Sequence, residues 1–440
     1  EGSFAYTTIK DRLPVILSKA VDVLCREKQN IEKNLGPAAR EESKTVIGRL
    51  SKLRNEVVTN KPVLPIEDNF EDASIWNEYL DKYTAKNGTE PKWFEAPWLY
   101  VECYMYRRIF EAFQLTNVLR SYDPFRLQKE DALAGSLGPI RVLAEYLKKN
   151  THKDAAPETL QPFVKGLVGA SLWGNQCDLS ISGGAPVAVP TGALSSSAET
   201  NDTCSNLLCD EFRQLWGKLC ECRQKTTDSK DPPPEGSPRP TPALIHIVLD
   251  NAGYELVSDL ALLDYLQETG FIGHATLHIK AMPWFVSDVT LEDLASTVRY
   301  LEATEHDATV GLAARCRRRM DEGEWTVEDD IFWTTPHPYH VMKRVRPDLY
   351  AKLAKADLII FKGDLNYRKL VGDRSWKPDT PFEIALEGFS PSSLCALRTI
   401  KADTVAGLDD GVAELAAAKA SDWMTTGQFA LLQCVLRPLR

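Results

Sequence analysis

The sequence predicts an α/β protein in which a mostly parallel sheet, covered on both faces by helices, follows a mainly helical first half. In the second half, short apolar runs alternate with stretches whose leucines fall on one helical face, as in strand–helix units of a parallel sheet. The first half carries apolar residues mainly at helical spacing. A proline-rich segment at 226–242, TTDSKDPPPEGSPRPTP, separates the halves and is typical of a linker.

Two segments of the first half are predicted to be helices. Residues 10–26 space their apolar side chains as one helical face, from Leu13 to Leu24. Residues 95–113 carry Pro97 near their start, where a helix tolerates proline. A loop rich in small residues follows at 181–206. We therefore expect a helical N-terminal domain over 1–180, a variable loop and linker region over 181–242, and an α/β domain over 243–440.

Five apolar runs in the second half are predicted to be strands. The first, ALIHIVL, is apolar throughout, which suits a strand buried on both faces. Thr290 and Asp293 resemble a capping box that opens a helix. The predicted strands are 243–249, 274–281, 357–361, 395–401 and 428–436, and the predicted helices between them are 254–268, one from about 290, and 347–356.

The composition narrows the class of protein. A net charge of −10 and a pI near 5.4 argue against a nucleic-acid-binding surface. No apolar run is long enough to span a membrane, and the first residues lack the features of a secretory signal. The ten cysteines are scattered without a C-x-x-C pair, which argues against a zinc or iron–sulfur site. We expect the protein to be located in a reducing compartment, the cytoplasm, and the nucleus is a second location that the cysteines allow.

Polar side chains follow four of the predicted strands. Since ligands bind outside the carboxyl ends of parallel strands, these groups should converge if the strands are neighbours. In chain order they are Asp250 and Asn251, then Asp288, then Lys362, Asp364 and Asn366, and finally Arg398 and Lys401.

These residue types suit a metal-assisted reaction of a phosphate ester. Two carboxylates and an amide oxygen are hard ligands that fit Mg²⁺ or Mn²⁺. Such an ion polarises a phosphoryl oxygen and activates water, while Lys and Arg neutralise the charge on the transferring group. Aspartate and asparagine after a strand are equally typical of turns and helix caps. On the residues alone, both interpretations stay open.

Several other phosphate-binding or hydrolytic signatures are absent from the sequence. It has no G-x-x-x-x-G-K-[ST] loop, no G-x-G-x-x-G after a strand and no G-x-S-x-G elbow. Asp250 is followed by Asn251 and Ala252, so the D-x-D motif of a haloacid-dehalogenase type phosphatase is missing as well.

Ordered motifs resemble the metal-dependent damage-control phosphatase family, long labelled domain of unknown function 89. They are VLDNAGYELVSDL (248–260), PWFVSDVT (283–290), FKGDLNYRKLVGDRSW (361–376) and RTIK (398–401). Three further segments are similar to the eukaryotic subfamily with the R-T-x-K motif: SKLRNE (51–56), WLYVECYMYRRI (98–109) and SLWGNQCDLS (171–180). The resemblance covers nearly the whole chain.

The resemblance implies a helical N-terminal domain packed on a Rossmann-like α/β/α sandwich that holds metal and substrate. It implies a divalent metal, Mn²⁺ or Mg²⁺ with Co²⁺ or Ni²⁺ also fitting, on Asp250, Asn251 and Asp288. These three residues and Lys401 would form the catalytic set. Substrate contacts would come from Glu255, Asp364, Leu365, Asn366, Tyr367, Arg368 and Lys401, with Asn175 and Asp178 lining the same cleft.

The resemblance further implies hydrolysis of small sugar phosphates, such as fructose 1-phosphate and fructose 6-phosphate, as metabolite damage control. Attack by an activated water and attack by Asp250 itself are rival mechanisms. The alternative activity is S-adenosylmethionine-dependent methylation of protein glutamates, although no glycine-rich loop follows a first strand. The expected partner is a phosphorylated sugar, with no nucleic acid and no membrane, and the chain should be a monomer or weak oligomer.

Overall fold

The structure is a computed structural model that describes residues 3–174, 206–230 and 240–438. At its centre lies a sheet of seven strands in the order β1-β7-β6-β5-β2-β3-β4. The strands are β1 Leu207–Asp210, β2 Leu244–Val248, β3 His274–His278, β4 Trp325–Glu328, β5 Leu358–Lys362, β6 Leu394–Thr399 and β7 Ala430–Val435.

The sheet is mostly parallel, which confirms the predicted fold class. The central strand β2 pairs in parallel with β3 and β5, so that Ile247 lies between Leu277 and Ile360. The strand β7 alone runs antiparallel to its neighbour β6. All five predicted strands form, but β1 and β4 were not predicted. Both have four residues and are only partly buried, so neither carries the continuous apolar run that reveals a central strand.

Helices make up most of residues 4–174 and also cover the sheet. The first nine are α1 Phe4–Thr7, α2 Leu13–Arg26, α3 Lys28–Leu35, α4 Pro37–Val58, α5 Ala73–Asn87, α6 Trp98–Gln114, α7 Arg126–Gly135, α8 Leu137–Asn150 and α9 Pro157–Gly174. The later ones are α10 Phe212–Asp228, α11 Tyr254–Glu268, α12 Leu291–Glu302, α13 Asp307–Asp321, α14 Met342–Val345, α15 Pro347–Leu353, α16 Gly363–Leu370, α17 Phe382–Ala385 and α18 Val412–Lys419. Among the helices described, none is both long and apolar enough to cross a membrane.

The structure agrees with one predicted helix start and differs from another. The capping box at Thr290 is present, since its side chain accepts from the Asp293 amide and the Asp293 carboxylate accepts from the Thr290 amide. The helix predicted from residue 10 is different, because a π-helical turn occupies Thr8–Arg12 and the α-helix begins only at Leu13. Helical periodicity does not separate the two forms, and π turns are often found at functional sites.

Successive side chains of each strand point to opposite faces of the sheet, and this alternation divides the core into two layers. Ile245, Ile247 and Ile360 point to the face covered by α7 to α13, whereas Ile359 and Phe361 point to the face covered by segments between 332 and 429. A third cluster fills the helices before residue 126 and includes Met282, Trp284, Phe285, Val286 and Leu365 from the sheet-bearing part. The helical part therefore packs directly on the loop that follows β3 and on the helix α16 that follows β5. The domain division expected from the sequence stays a prediction.

A pair of histidines is buried between β2 and β3. His246 Nδ1 lies 2.9 Å from His278 Nε2, and the His278 ring packs against Trp333. Burial lowers the pKa of His246 to about 4 and lowers the pKa of His278 well below its ordinary value. Because protonating either ring would place a charge in the core, the pair is neutral at pH 7.

We predict that this pair makes the protein sensitive to mild acid. The unfolded chain binds these protons near pH 6.5 and the folded chain does not, so stability falls as the pH drops from 6.5 toward 4. His246→Gln removes one of the two groups and should reduce the loss of unfolding free energy between pH 6.5 and 5 by about 1 kcal/mol. Urea unfolding followed at the two pH values measures the difference.

His274→Gln is the matched control, since His274 lies at the exposed start of β3 and this variant should keep the wild-type pH dependence. An identical acid sensitivity in His246→Gln and the wild type would contradict the prediction.

Candidate active site

A cleft opens at the carboxyl ends of β2, β3, β5 and β6, where the sequence predicted that polar groups converge. Six of the predicted site residues line it: Asp250, Asp288, Asp364, Leu365, Arg368 and Lys401. Four further lining residues were not among them: Arg12, Trp98, Glu102 and Phe285. The structure therefore brings the central part of the predicted site together and adds a wall from the helical N-terminal part.

The loops after β2 and β3 are hydrogen-bonded to each other, which places two predicted metal ligands side by side. Asn251 and Asp288 form an isolated antiparallel bridge. On either side of it, the Val289 amide donates to the Asp250 carbonyl at 2.8 Å and the Ala252 amide donates to the Ser287 carbonyl at 2.7 Å. The positions of Asp250 and Asp288 are thus set by backbone contacts, and both residues are buried.

The loop after β3 contains two strained residues. Phe285 and Val286 have φ values of 43° and 70°, a region that non-glycine residues rarely enter, least of all a β-branched one. Such strain persists only where the surroundings hold it, and it is frequent at active sites. Here it brings Phe285 to the cleft, where its ring stacks on Tyr106 of α6 with centroids 4.5 Å apart.

Asn251 is oriented by three hydrogen bonds. Its Nδ2 donates to Asp250 Oδ2 at 2.9 Å and to Glu255 Oε2 at 2.8 Å. Its Oδ1 accepts from the Ser287 hydroxyl at 2.5 Å. An amide oxygen has two acceptor sites, so Oδ1 can also take a cation as a ligand.

Glu255 and Lys362 form a buried ionic cluster beneath the cleft. Lys362 Nζ lies 3.0 Å from Glu255 Oε1 and 2.9 Å from Asp259 Oδ1, and it donates to the Ser171 carbonyl at 2.6 Å. Burial alone would lower the pKa of Lys362, but the two carboxylates outweigh it and raise that pKa above its ordinary value. Lys362 is therefore a buried, charged residue that stabilises the fold. Glu255 supports Asn251 from beneath the cleft and does not line it.

Gly363 is required by the close approach of Asp250. Gly363 has a φ of +84°, and a Cβ on it would lie 1.9 Å from Asp250 Oδ2. Only glycine satisfies both conditions. The carboxylate of Asp250 thus packs against the backbone at the start of α16. In the sequence this contact corresponds to a glycine directly after a buried strand.

Asp364 holds the loop that carries Lys401. Asp364 Oδ1 accepts from Arg398 Nε at 2.8 Å and from the Lys401 amide at 3.0 Å. Arg398 also donates to the carbonyls of Ala402 and Thr404. Arg398 is therefore a buried anchor for this loop, and Lys401 is the residue of the R-T-x-K motif whose side chain reaches the cleft.

The remaining predicted substrate contacts divide into two groups. Arg368 lines the cleft, pairing with Glu102 at 2.6 Å and Asp373 at 2.8 Å and stacking 3.7 Å from the Trp98 ring. Asn366 and Tyr367 are buried and bond to internal groups, among them the Lys362 carbonyl for Asn366 and the Ala406 carbonyl for Tyr367, and neither lines the cleft. The structure therefore does not bring their side chains into the cleft.

Asn175 and Asp178 lie outside the described residues. The last described residue before them, Gly174 at the end of α9, packs against α11, where an added Cβ would lie 3.2 Å from Glu255 Cα.

The donor set suits a hard divalent ion. Within residues 3–174, 206–230 and 240–438 no three His, Cys, Asp or Glu side chains converge as a metal cluster. The predicted trio contains only two such side chains, the carboxylates of Asp250 and Asp288, and its third ligand is the amide oxygen of Asn251. The buried carboxylates of Asp250 and Asp288 and the oriented Oδ1 of Asn251 offer oxygen only, which fits Mg²⁺ or Mn²⁺ better than zinc.

Comparison with known proteins agrees with the motifs. A family model described as the damage-control phosphatase ARMT1-like domain matches residues 8–415. Damage-control phosphatase ARMT1 of Danio rerio is 42% identical over 438 residues, covering 98% of this chain and 95% of that protein. The Homo sapiens protein of the same description is 40% identical over 437 residues, covering 98% and 96%. A crystal structure of a DUF89 family protein from Pyrococcus horikoshii matches with a TM-score of 0.39 at 15% identity, over 87% of this chain and 92% of that one.

We predict that Gly363→Ala displaces the Asp250 carboxylate and weakens binding of Mn²⁺ about tenfold or more, as loss of ligand support commonly does. Gly388→Ala is the matched control, because Gly388 has a φ of +85° with nothing within 4 Å of an added Cβ. Both variants should lose about 1 kcal/mol or more of unfolding free energy from the backbone conformation. Only Gly363→Ala should weaken the binding of Mn²⁺. Equal Mn²⁺ affinities in the two variants would show that Gly363 does not position the Asp250 carboxylate.

Proposed function

Because the chain belongs to the damage-control phosphatase ARMT1-like family, we propose that it hydrolyses small sugar phosphates, with fructose 1-phosphate and fructose 6-phosphate as representative substrates. The family membership expected from the motifs is confirmed, and it makes the chain a phosphatase, a hydrolase of phosphate esters. The observation that carries the proposal is the convergence of Asp250, Asp288, Asp364 and Lys401 on one cleft.

In this proposal Asp250, Asn251 and Asp288 hold a divalent metal, Mn²⁺ or Mg²⁺, and Co²⁺ or Ni²⁺ also suit oxygen ligands. Three features support it: the hydrogen-bonded loops after β2 and β3, the burial of both carboxylates, and the fixed orientation of Asn251. When bound, such an ion polarises the phosphoryl oxygens and makes water a better nucleophile.

The other residues position and neutralise the substrate. The ammonium of Lys401 offsets negative charge on the transferring phosphoryl group. Lys401 is held in position because Asp364 and Arg398 bind the loop that carries it. One oxygen of Asp364 carries those bonds, which leaves the other oxygen for a sugar hydroxyl. Phe285, Leu365 and Trp98 give the cleft an apolar wall that suits the carbon face of a sugar ring.

We favour water over Asp250 as the nucleophile. Asp250 Oδ2 accepts from Asn251 at 2.9 Å and packs against Gly363, so this oxygen is confined on two sides. An in-line attack requires a nucleophilic atom that can approach phosphorus freely. The confinement concerns Oδ2 alone, and in this proposal Oδ1 acts as a ligand of the metal and not as the attacking atom.

The metal and substrate assignments are tested together by phosphate release. We expect chelator-treated protein to be inactive toward fructose 1-phosphate and to recover with Mn²⁺. Asp250→Ala should lower kcat/KM by about 100-fold or more because it removes a ligand and not merely its support. Asp410→Ala, at an exposed position, is the matched control and should behave as the wild type. Undiminished phosphate release by Asp250→Ala would rule out the metal site.

The same preparations separate the rival activities and mechanisms. A burst of phosphorylated protein that disappears only in the Asp250 variant would establish the covalent mechanism instead of the water mechanism. Methyl transfer from S-adenosylmethionine in the absence of phosphate release would favour the methyltransferase alternative.

A further inference from the structure

We propose that Lys280 determines which divalent ion the site prefers. Its ammonium engages Oδ2 of Asp288, so that this carboxylate serves the metal as a one-oxygen ligand and the site favours Mn²⁺ or Mg²⁺ over Ca²⁺. This inference rests on the proposed function, because it takes the metal site on Asp250, Asn251 and Asp288 as given, and it adds a residue that the predicted site did not include. It starts from one distance: Lys280 Nζ lies 3.0 Å from Asp288 Oδ2.

Lys280 is buried between the two loops that carry the metal ligands, with only 2% of its surface exposed. Its Nζ donates to the carbonyl of Leu249, directly before Asp250, at 2.8 Å. Its backbone amide donates to the carbonyl of Val289, directly after Asp288, at 2.8 Å. Lys280 therefore binds both loops, through its side chain and through its main chain, and its ammonium is fixed beside Asp288.

The ion pair between Lys280 and Asp288 is shielded from water. Asp288 is 2% exposed, and its Oδ2 has no contact with solvent. The pair is held by charge, since its angle is not that of a hydrogen bond. Turning Oδ2 toward a metal would separate two opposite charges inside the protein, which is strongly unfavourable. A metal at this site would therefore bind Asp288 through Oδ1.

Asp250 is restricted at the same oxygen. Its Oδ2 accepts from Asn251 Nδ2 at 2.9 Å and packs against the backbone of Gly363. Asn251 has a single oxygen to offer, since the other polar atom of its side chain is a donor. The three residues of the site would thus give the metal one oxygen each.

Three single oxygens suit Mg²⁺ and Mn²⁺ better than Ca²⁺. Mg²⁺ demands near-ideal octahedral geometry and is usually bound through one or two carboxylates, with waters and substrate phosphate in its other positions. Mn²⁺ suits the same oxygen ligands. Ca²⁺ takes about six to eight oxygens and often binds both oxygens of a carboxylate. Loss of the Lys280 ammonium would release Oδ2 of Asp288 as one further oxygen and should narrow the preference for Mn²⁺ over Ca²⁺.

Two other roles of Lys280 compete with this one. As a purely structural tie between the loops, it would raise the melting temperature without affecting the choice of ion. As a nearby positive charge, it would weaken the binding of Mn²⁺ and Ca²⁺ alike, because both ions carry two charges. Neither role changes the ratio of the two affinities, whereas the number of oxygens that Asp288 offers does.

The test compares Mn²⁺ and Ca²⁺ binding to the full chain after treatment with a chelator. Calorimetry gives the Kd of each ion in the wild type, Lys280→Met and Lys280→Arg, and thermal unfolding gives Tm. We expect the ratio of the Ca²⁺ Kd to the Mn²⁺ Kd to fall about tenfold or more in Lys280→Met, the size of effect that groups behind metal ligands commonly have. Lys280→Arg keeps a positive charge beside Asp288 and should retain most of the wild-type ratio.

Lys218→Met is the matched control, because Lys218 is also 2% exposed and makes the same two kinds of contact. Its Nζ lies 3.0 Å from Glu221 Oε2 and donates to the Arg437 carbonyl at 2.9 Å. Lys218 does not line the cleft. Lys218→Met and Lys280→Met should both lower Tm, and Lys218→Met should keep the wild-type ratio of affinities.

Infrared difference spectra of the wild type give a second measurement that needs no variant to fold. The two carboxylate stretching bands of a metal ligand lie further apart when one oxygen binds than when both bind. We expect bands of the one-oxygen kind when Mn²⁺ is added, and bands of the two-oxygen kind would overturn the proposal.

A ratio in Lys280→Met within twofold of the wild type would also overturn it, whatever the Tm, as would a wild type that binds Ca²⁺ as tightly as Mn²⁺. A wild type that binds neither ion would refute the metal site and the role of Lys280 together. A wild type whose preference depends on Lys280 but which releases no phosphate from fructose 1-phosphate would instead refute the proposed function and leave the role of Lys280 standing.

Discussion

The site depends on a single buried ammonium group, that of Lys362. It joins the end of β5 to α11 through Glu255 and Asp259 and to α9 through the Ser171 carbonyl. Glu255 then holds Asn251, Asn251 contacts both Asp250 and Ser287, and the loop of Ser287 carries Asp288. Breaking such a buried cluster on one side leaves uncompensated charge in the core, which costs several kcal/mol. The stability of the fold and the geometry of the cleft therefore rest on the same contacts.

The helical N-terminal part and the sheet are joined at the cleft itself. Glu102 and Trp98 of α6 hold Arg368 of α16, while Phe285 from the loop after β3 stacks on Tyr106 of α6. These contacts combine charge with aromatic packing, and they lie beside the residues proposed to bind phosphate. A shift between the two parts would consequently alter both the width of the cleft and the apolar cluster that Trp284 and Phe285 share with the helical part.

The sequence allowed the sheet and its polar edge to be predicted, because buried parallel strands leave continuous apolar runs and ligands gather where such strands end. The motifs placed Asp250, Asp288 and Lys401 in a common cleft, as the structure does. Arg12, Trp98 and Glu102 were missed, since contacts between distant segments leave no local periodicity. Asn366 and Tyr367 show the reverse limitation: the motif groups them with Asp364, but their side chains are buried on backbone carbonyls inside the protein and do not line the cleft. Side-chain direction within a short helix depends on its packing.

The position of β7 has a consequence for biosynthesis. In the sheet, β1 has β7 as its strand neighbour, and β7 also pairs with β6. On the ribosome β1 emerges more than two hundred residues before β7, so all of those residues must be translated before the strand that it pairs with is available. The strands that carry the cleft, β2, β3, β5 and β6, all emerge in that interval and can pair with one another earlier. Nascent chains would thus carry an assembled cleft beside an open sheet edge, which is the kind of surface that molecular chaperones protect.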